Sequence, residues 1–64
     1  MKYVRCEYES GRQDLVDMRL VLAVSRKKAN DEVLLNIDDC YAKWVTVAPN
    51  KDGKSVFEDA VIDI

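Results

Sequence analysis

Every even position from Val16 through Met18, Leu20 and Leu22 to Val24 is apolar, and beyond a polar turn a second apolar run extends from Val33 to Ile37. A hydrophobic period of two is the mark of a strand with one buried face. On a helical wheel the same residues scatter around most of the circle and leave only a narrow polar stripe. The β-branched valines also favour strand. The pattern therefore predicts a β-hairpin at the centre of the core. Its buried face would carry Val16, Met18, Leu20, Leu22, Val24, Val33, Leu35 and Ile37.

The first strand of that hairpin would run about eleven residues, roughly twice the usual length, so it is expected to be bent or bulged and shared between two parts of a sheet. Its tip, Arg26 to Asp31, is polar and contains Asn30, which tolerates the backbone geometry of a chain reversal. Glu32 to Asp38 returns as a strand. Upstream, Val4, Cys6 and Tyr8 alternate with Tyr3, Arg5 and Glu7, which predicts a first strand over Lys2–Tyr8. Ser10 followed by Gln13 has the spacing of a helix capping box, but the periodicity beyond it favours strand.

Residues 38–43 read either as a single helical turn capped by Asp38 or as more strand. Trp44 to Val47 is strand-like and Pro49 ends the run. Asp52-Gly53 predicts a hairpin turn over Asn50–Lys54, and Ser55 to Ile64 reads as a last strand. With 64 residues the chain is one domain, too short for parallel crossovers. The expected fold is mainly β. A small antiparallel meander of about five strands would form an SH3-like or OB-like barrel or a curved sheet.

The sequence has no histidine, so neither a Ser-His-Asp triad nor a Cys-His pair can be assembled from this chain, and no Gly-rich phosphate loop is present. Asp38-Asp39 and Glu58-Asp59 are neighbours whose side chains diverge on a strand, which suits a solvated rim better than a catalytic dyad. Asn50, Asp52, Gly53 and Asp59 partly match a calcium loop, but Ala48 falls where the first carboxylate is required. Cys6 and Cys40 are too few for a zinc site and are expected to be reduced. No catalytic, cofactor or metal function is expected.

A net charge of −2 removes the global attraction to nucleic acid or anionic membranes that a basic domain would have. The longest apolar run, Leu20 to Val24, is far short of the roughly 20 residues that span a bilayer, and no signal-peptide core is evident. A cytoplasmic protein is expected.

What remains is an excess of apolar side chains for one small core. If the even face points inward, Leu15, Val21, Ala23 and Leu34 lie on the other side of the same sheet. Trp44 is out of phase with Val45 and Val47. The last strand would place Val56, Ala60, Ile62 and Ile64 on one face and Phe57 and Val61 on the other, and an apolar edge strand readily pairs with another chain. Either Trp44 and Phe57 build a second small core under a loop, or a partner covers the outer face.

The sequence thus suggests a non-enzymatic interaction module with Trp44, Tyr41, Leu34, Val21, Phe57 and Val61 as contact residues. It would dock on a protein partner or form a homodimer. By analogy, such compact acidic chains suit accessory, regulatory or inhibitor roles in bacteria and phages. The alternative is a nucleic-acid-binding barrel that grips phosphates through Arg26, Lys27 and Lys28 and stacks bases on Tyr41 or Trp44.

Overall fold

The computed structural model describes residues 1–64. Strands β1 (Lys2–Glu7), β2 (Gln13–Asp17), β3 (Val21–Arg26), β4 (Asp31–Asp38), β5 (Tyr41–Val47) and β6 (Val61–Asp63) form one antiparallel sheet, with a 3₁₀ turn at Met18–Leu20 and a short helix α1 at Phe57–Ala60. The strand order is β2-β1-β5-β4-β3, and β6 joins β1. β1 pairs with β2 along one edge and divides its other edge between β6, at Lys2 to Val4, and β5, at Cys6 and Glu7. The outermost strands β2 and β3 are linked through the 3₁₀ turn rather than by a ladder, so the sheet curves without closing.

The alternation in β1, β4 and β5 sets the core. Val4, Cys6, Val33, Leu35, Val45 and Val47 are buried together, and Ala60 of α1 covers them. Register partners share a face of a sheet. Cys6 lies opposite Val47, Val33 opposite Val45 and Val4 opposite both Val16 and Val61, all within this one layer.

The long strand is bent as expected, but its even face is not a continuous core face. Val16 and Met18 pack against the core, whereas Leu20, Leu22 and Val24 are exposed. Two irregularities reset the phase at Leu20 and Leu22. The 3₁₀ turn, held by Asp17 Oδ1 accepting from the Arg19 amide at 2.9 Å, interrupts the alternation. A register shift between Val21 and Ala23 then leaves Val21 opposite buried Leu35. After a bulge of this kind, parity no longer predicts side. Ile37 falls at a further register shift, between Asn36 and Asp38 of β4, beyond the last β3 partner of that strand, and is 55% exposed.

The segment 38–43 holds no helical turn. A two-residue turn at Asp39-Cys40 joins β4 to β5, with Asp38 Oδ1 accepting from the Cys40 amide at 2.8 Å. The turn at Asn50–Lys54 forms, Gly53 having φ of 77° and Asn50 Oδ1 accepting from the amides of Asp52 and Lys54. It does not join a ladder of two strands, because Ser55–Ile64 is not one strand. Phe57–Ala60 is helical, and only Val61–Asp63 returns to the sheet. Asp31 explains how so short a helix is held. Its buried carboxylate accepts from the Phe57 amide at 2.8 Å, in place of the capping side chain that Val56 lacks. Its own amide donates to the Ser55 carbonyl at 2.9 Å.

Candidate interaction surface

Alternation in β5 buries Val45 and Val47 and turns Trp44 to the outer face, where it is 46% exposed. The register places Trp44 opposite Leu34 and Leu34 opposite Ala23, so one apolar row crosses β5, β4 and β3. Two residues along each strand lies a second row on the same face. Thr46 is opposite Glu32 and also opposite Glu7, and Glu32 is opposite Ser25. The rise of a strand puts the two rows about 7 Å apart. An aromatic-aliphatic row thus runs beside an acidic and hydroxyl-bearing one.

A groove of about 460 Å³ opens over their junction, with Glu7, Tyr8, Glu9, Glu32, Lys43 and Trp44 among the residues that line it. Glu7 accepts from Gln13 Nε2 at 3.3 Å, and Glu32 pairs with Lys27 Nζ at 2.7 Å. Glu9 is exposed and carries no ion pair. A smaller cleft of about 300 Å³ lies where β2 and the far end of β4 fail to meet, lined by Leu15, Val16, Leu20, Leu35 and Ile37.

The residues expected to make contacts separate into two groups. Trp44 and Leu34 are direct neighbours on the outer face. Tyr41 is also 46% exposed but stands at the start of β5, opposite Asp38. Val21 and Phe57 pack against the buried core, and Val61 is in register with fully buried Val4. Trp44 and Phe57 therefore do not share a second core. The apolar side chain that completes the outer row is Ala23.

The hairpin tip is basic in sequence but largely compensated in space. Arg26 binds Asp31 at 3.1 Å and holds both carboxylate oxygens of Glu58, while its guanidinium lies 5.6 Å from the Phe57 ring centroid. Lys27 is bound to Glu32, which leaves Lys28 as the cation of the tip without an ion pair. The acidic neighbours are also occupied structurally, Glu58 by Arg26 and Asp59 by Asn50 Nδ2 at 2.9 Å. Cys6 is buried and Cys40 exposed, both as free thiols.

Glu7, Tyr8 and Glu9 are the groove residues that sequence reasoning missed. They line it only because β1 crosses the chain to lie beside β5, a pairing between segments distant in sequence. The trace in the sequence is faint, an aromatic residue flanked by two glutamates at the end of a strand. No protein-family model, curated protein or solved structure matches the chain.

Proposed function

We propose that this chain is a non-enzymatic interaction module that works in the cytoplasm and regulates or inhibits a protein partner by docking through the outer face of β3, β4 and β5, or pairs there with a second copy. The observation that carries this reading is Trp44, nearly half exposed and continuous with Leu34 and Ala23 across three strands. Aromatic side chains anchored in a sheet face and open to solvent are the type that dominates binding energy at interfaces. The small acidic chain suits an accessory role of the bacterial or phage kind, by analogy alone. The alternative of phosphate binding at the tip has less support, because Arg26 and Lys27 already face carboxylates.

The test compares the parent protein with Trp44→Lys, which removes the ring and places a charge in the row. Sedimentation at rising concentration reads self-association, and paired affinity captures from the native host read docking. The expected result is a dimer or a stoichiometric complex formed by the parent and lost in a variant that still folds. A parent that stays monomeric and captures the same proteins as the variant would refute the proposal.

A further inference from the structure

The two rows of the outer face say what kind of partner fits. Trp44 offers the π face of an indole, which attracts a cation placed over it. One rung away stand Glu7 and Glu32, with Glu9 beside them on the groove wall. Lys43 is the single cationic side chain lining this groove, against three carboxylates. Glu32 is paired with Lys27, but Glu7 and Glu9 are open to a new partner. Glu7 has a 3.3 Å contact from a neutral amide, and Glu9 has no ion pair. Such an exposed contact exchanges readily with water or with a better-placed cation.

We infer that the groove over Trp44 receives an extended, arginine-bearing segment of a partner protein, with a guanidinium stacked on the Trp44 indole and paired with Glu7 and Glu9. Arginine suits the site better than lysine, because its planar guanidinium can stack on an aromatic face while its edge donates to a carboxylate. The chain already makes contacts of this type, with Arg12 5.0 Å from the Tyr8 ring centroid and Arg26 over Phe57. The acidic rung also selects against partners. A phosphate backbone brought onto Trp44 would meet Glu7, Glu9 and Glu32 at once, which costs affinity through like-charge repulsion. The inference rests on the docking face proposed above and assigns the chemistry of what docks there.

Trp44 is the only tryptophan in the chain, so its emission reports this groove alone. The probes are three blocked hexapeptides, (Arg-Ala)₃, (Gln-Ala)₃ and (Glu-Ala)₃, titrated into the full chain at low and at high salt, with backbone amide shifts recorded alongside. The expected result is a saturable Trp44 emission change with (Arg-Ala)₃ only, with amide shifts at Glu7, Glu9 and Thr46. Affinity should fall about two- to fivefold for each carboxylate neutralised in Glu7→Gln and Glu9→Gln, and fall again at 0.5 M salt, where the screening length is only a few ångströms.

Equal binding of the Gln and Arg peptides, no response to (Arg-Ala)₃ up to millimolar concentration, or a Glu7→Gln/Glu9→Gln double variant that binds as the parent does would each overturn the inference. Those failures leave Trp44→Lys free to abolish association on its own, which separates a wrong partner chemistry from a wrong docking face.

Discussion

Arg26, the last residue of β3, and Glu58, in α1, are bound guanidinium to carboxylate across 32 residues of sequence, and the same guanidinium reaches Asp31 at the start of β4. One arginine thereby ties the hairpin tip to the helix that covers the core. The hydrogen bonds from Arg26 hold the Glu58 carboxyl down at about 2, well below its ordinary 4.5. A carboxylate whose folded-state value is depressed contributes stability that is present above its unfolded value and lost as pH falls through the folded one. Melting temperature should therefore decline between about pH 4.5 and pH 2. Glu58→Gln should flatten that part of the profile. Both side chains are more than half exposed, so 0.5 M salt should shrink the effect as well. Thermal melts of parent and variant at pH 6, 4, 3 and 2 check it, and superimposable profiles would count against the pair.

Asp31 is the buried member of the same cluster and carries a different load. Its carboxylate accepts from the Phe57 amide and from Arg26. Asp31→Ala would leave the Phe57 amide without its acceptor at a site only 8% exposed, a loss of about 1–3 kcal/mol, while Arg26 keeps its bonds to Glu58. Asp31→Asn keeps an acceptor for the Phe57 amide and gives up only the charge, so it should cost clearly less. Urea denaturation of the three proteins orders them. Equal losses for Ala and Asn would show that the charge on Asp31, rather than its capping bond, holds α1 in place.

The contrast between these residues and the sheet shows what the sequence could reveal. Val4 and Cys6, Val33 and Leu35, and Val45 and Val47 alternate in uninterrupted strands, so their burial follows from parity alone, and so does the outward phase of Trp44. Leu20 and Leu22 obey the same alternation and yet are exposed, because a three-residue 3₁₀ turn and a register shift intervene. Each of those changes the count on which parity depends. Val24, by contrast, lies opposite buried Val33 and is exposed because β3 is the outer strand of the sheet. The helix at Phe57 was illegible for another reason. It is four residues long and its capping carboxylate comes from Asp31 in β4, so no local signal exists. Glu7 and Glu9 likewise join Trp44 only through the adjacency of β1 and β5.

The two thiols should differ sharply in reactivity. Burial, with a smaller contribution from the charge of Asp14, pushes the Cys6 thiol up to about 11, whereas Cys40 lies exposed in the turn after β4. Since the thiolate is the reactive form, a disulfide reagent at pH 8 should titrate one thiol per native chain quickly and the second only on unfolding. Cys40→Ser should abolish the fast phase. The sign of the linkage follows from the raised value. Above about pH 9 the unfolded chain releases the Cys6 proton more readily than the folded one, so native stability should fall as pH rises toward 11. Two fast thiols in the native protein would mean that the sheet between β1 and β5 opens readily.

Trp44 and Leu35 provide the sharpest test of which face is core. Leu35 is 2% exposed between Val21 and Lys43 in register, and Trp44 is 46% exposed opposite Leu34. Leu35→Ala removes a buried side chain and leaves a cavity, which costs about 2–5 kcal/mol. In a domain of this size that lowers the melting temperature by about 8 °C or more, at about 4–8 °C per kcal/mol. Trp44→Ala removes a larger side chain from a solvent-facing row and should cost about 1 kcal/mol, the scale of a cross-strand pair. The order is opposite to that of side-chain size, so it depends on which face each residue occupies rather than on volume lost. Thermal melts of the two variants decide it. If Trp44→Ala proves as destabilising as Leu35→Ala, the tryptophan is a core residue, and the outer face of β3, β4 and β5 loses its claim to be a docking surface.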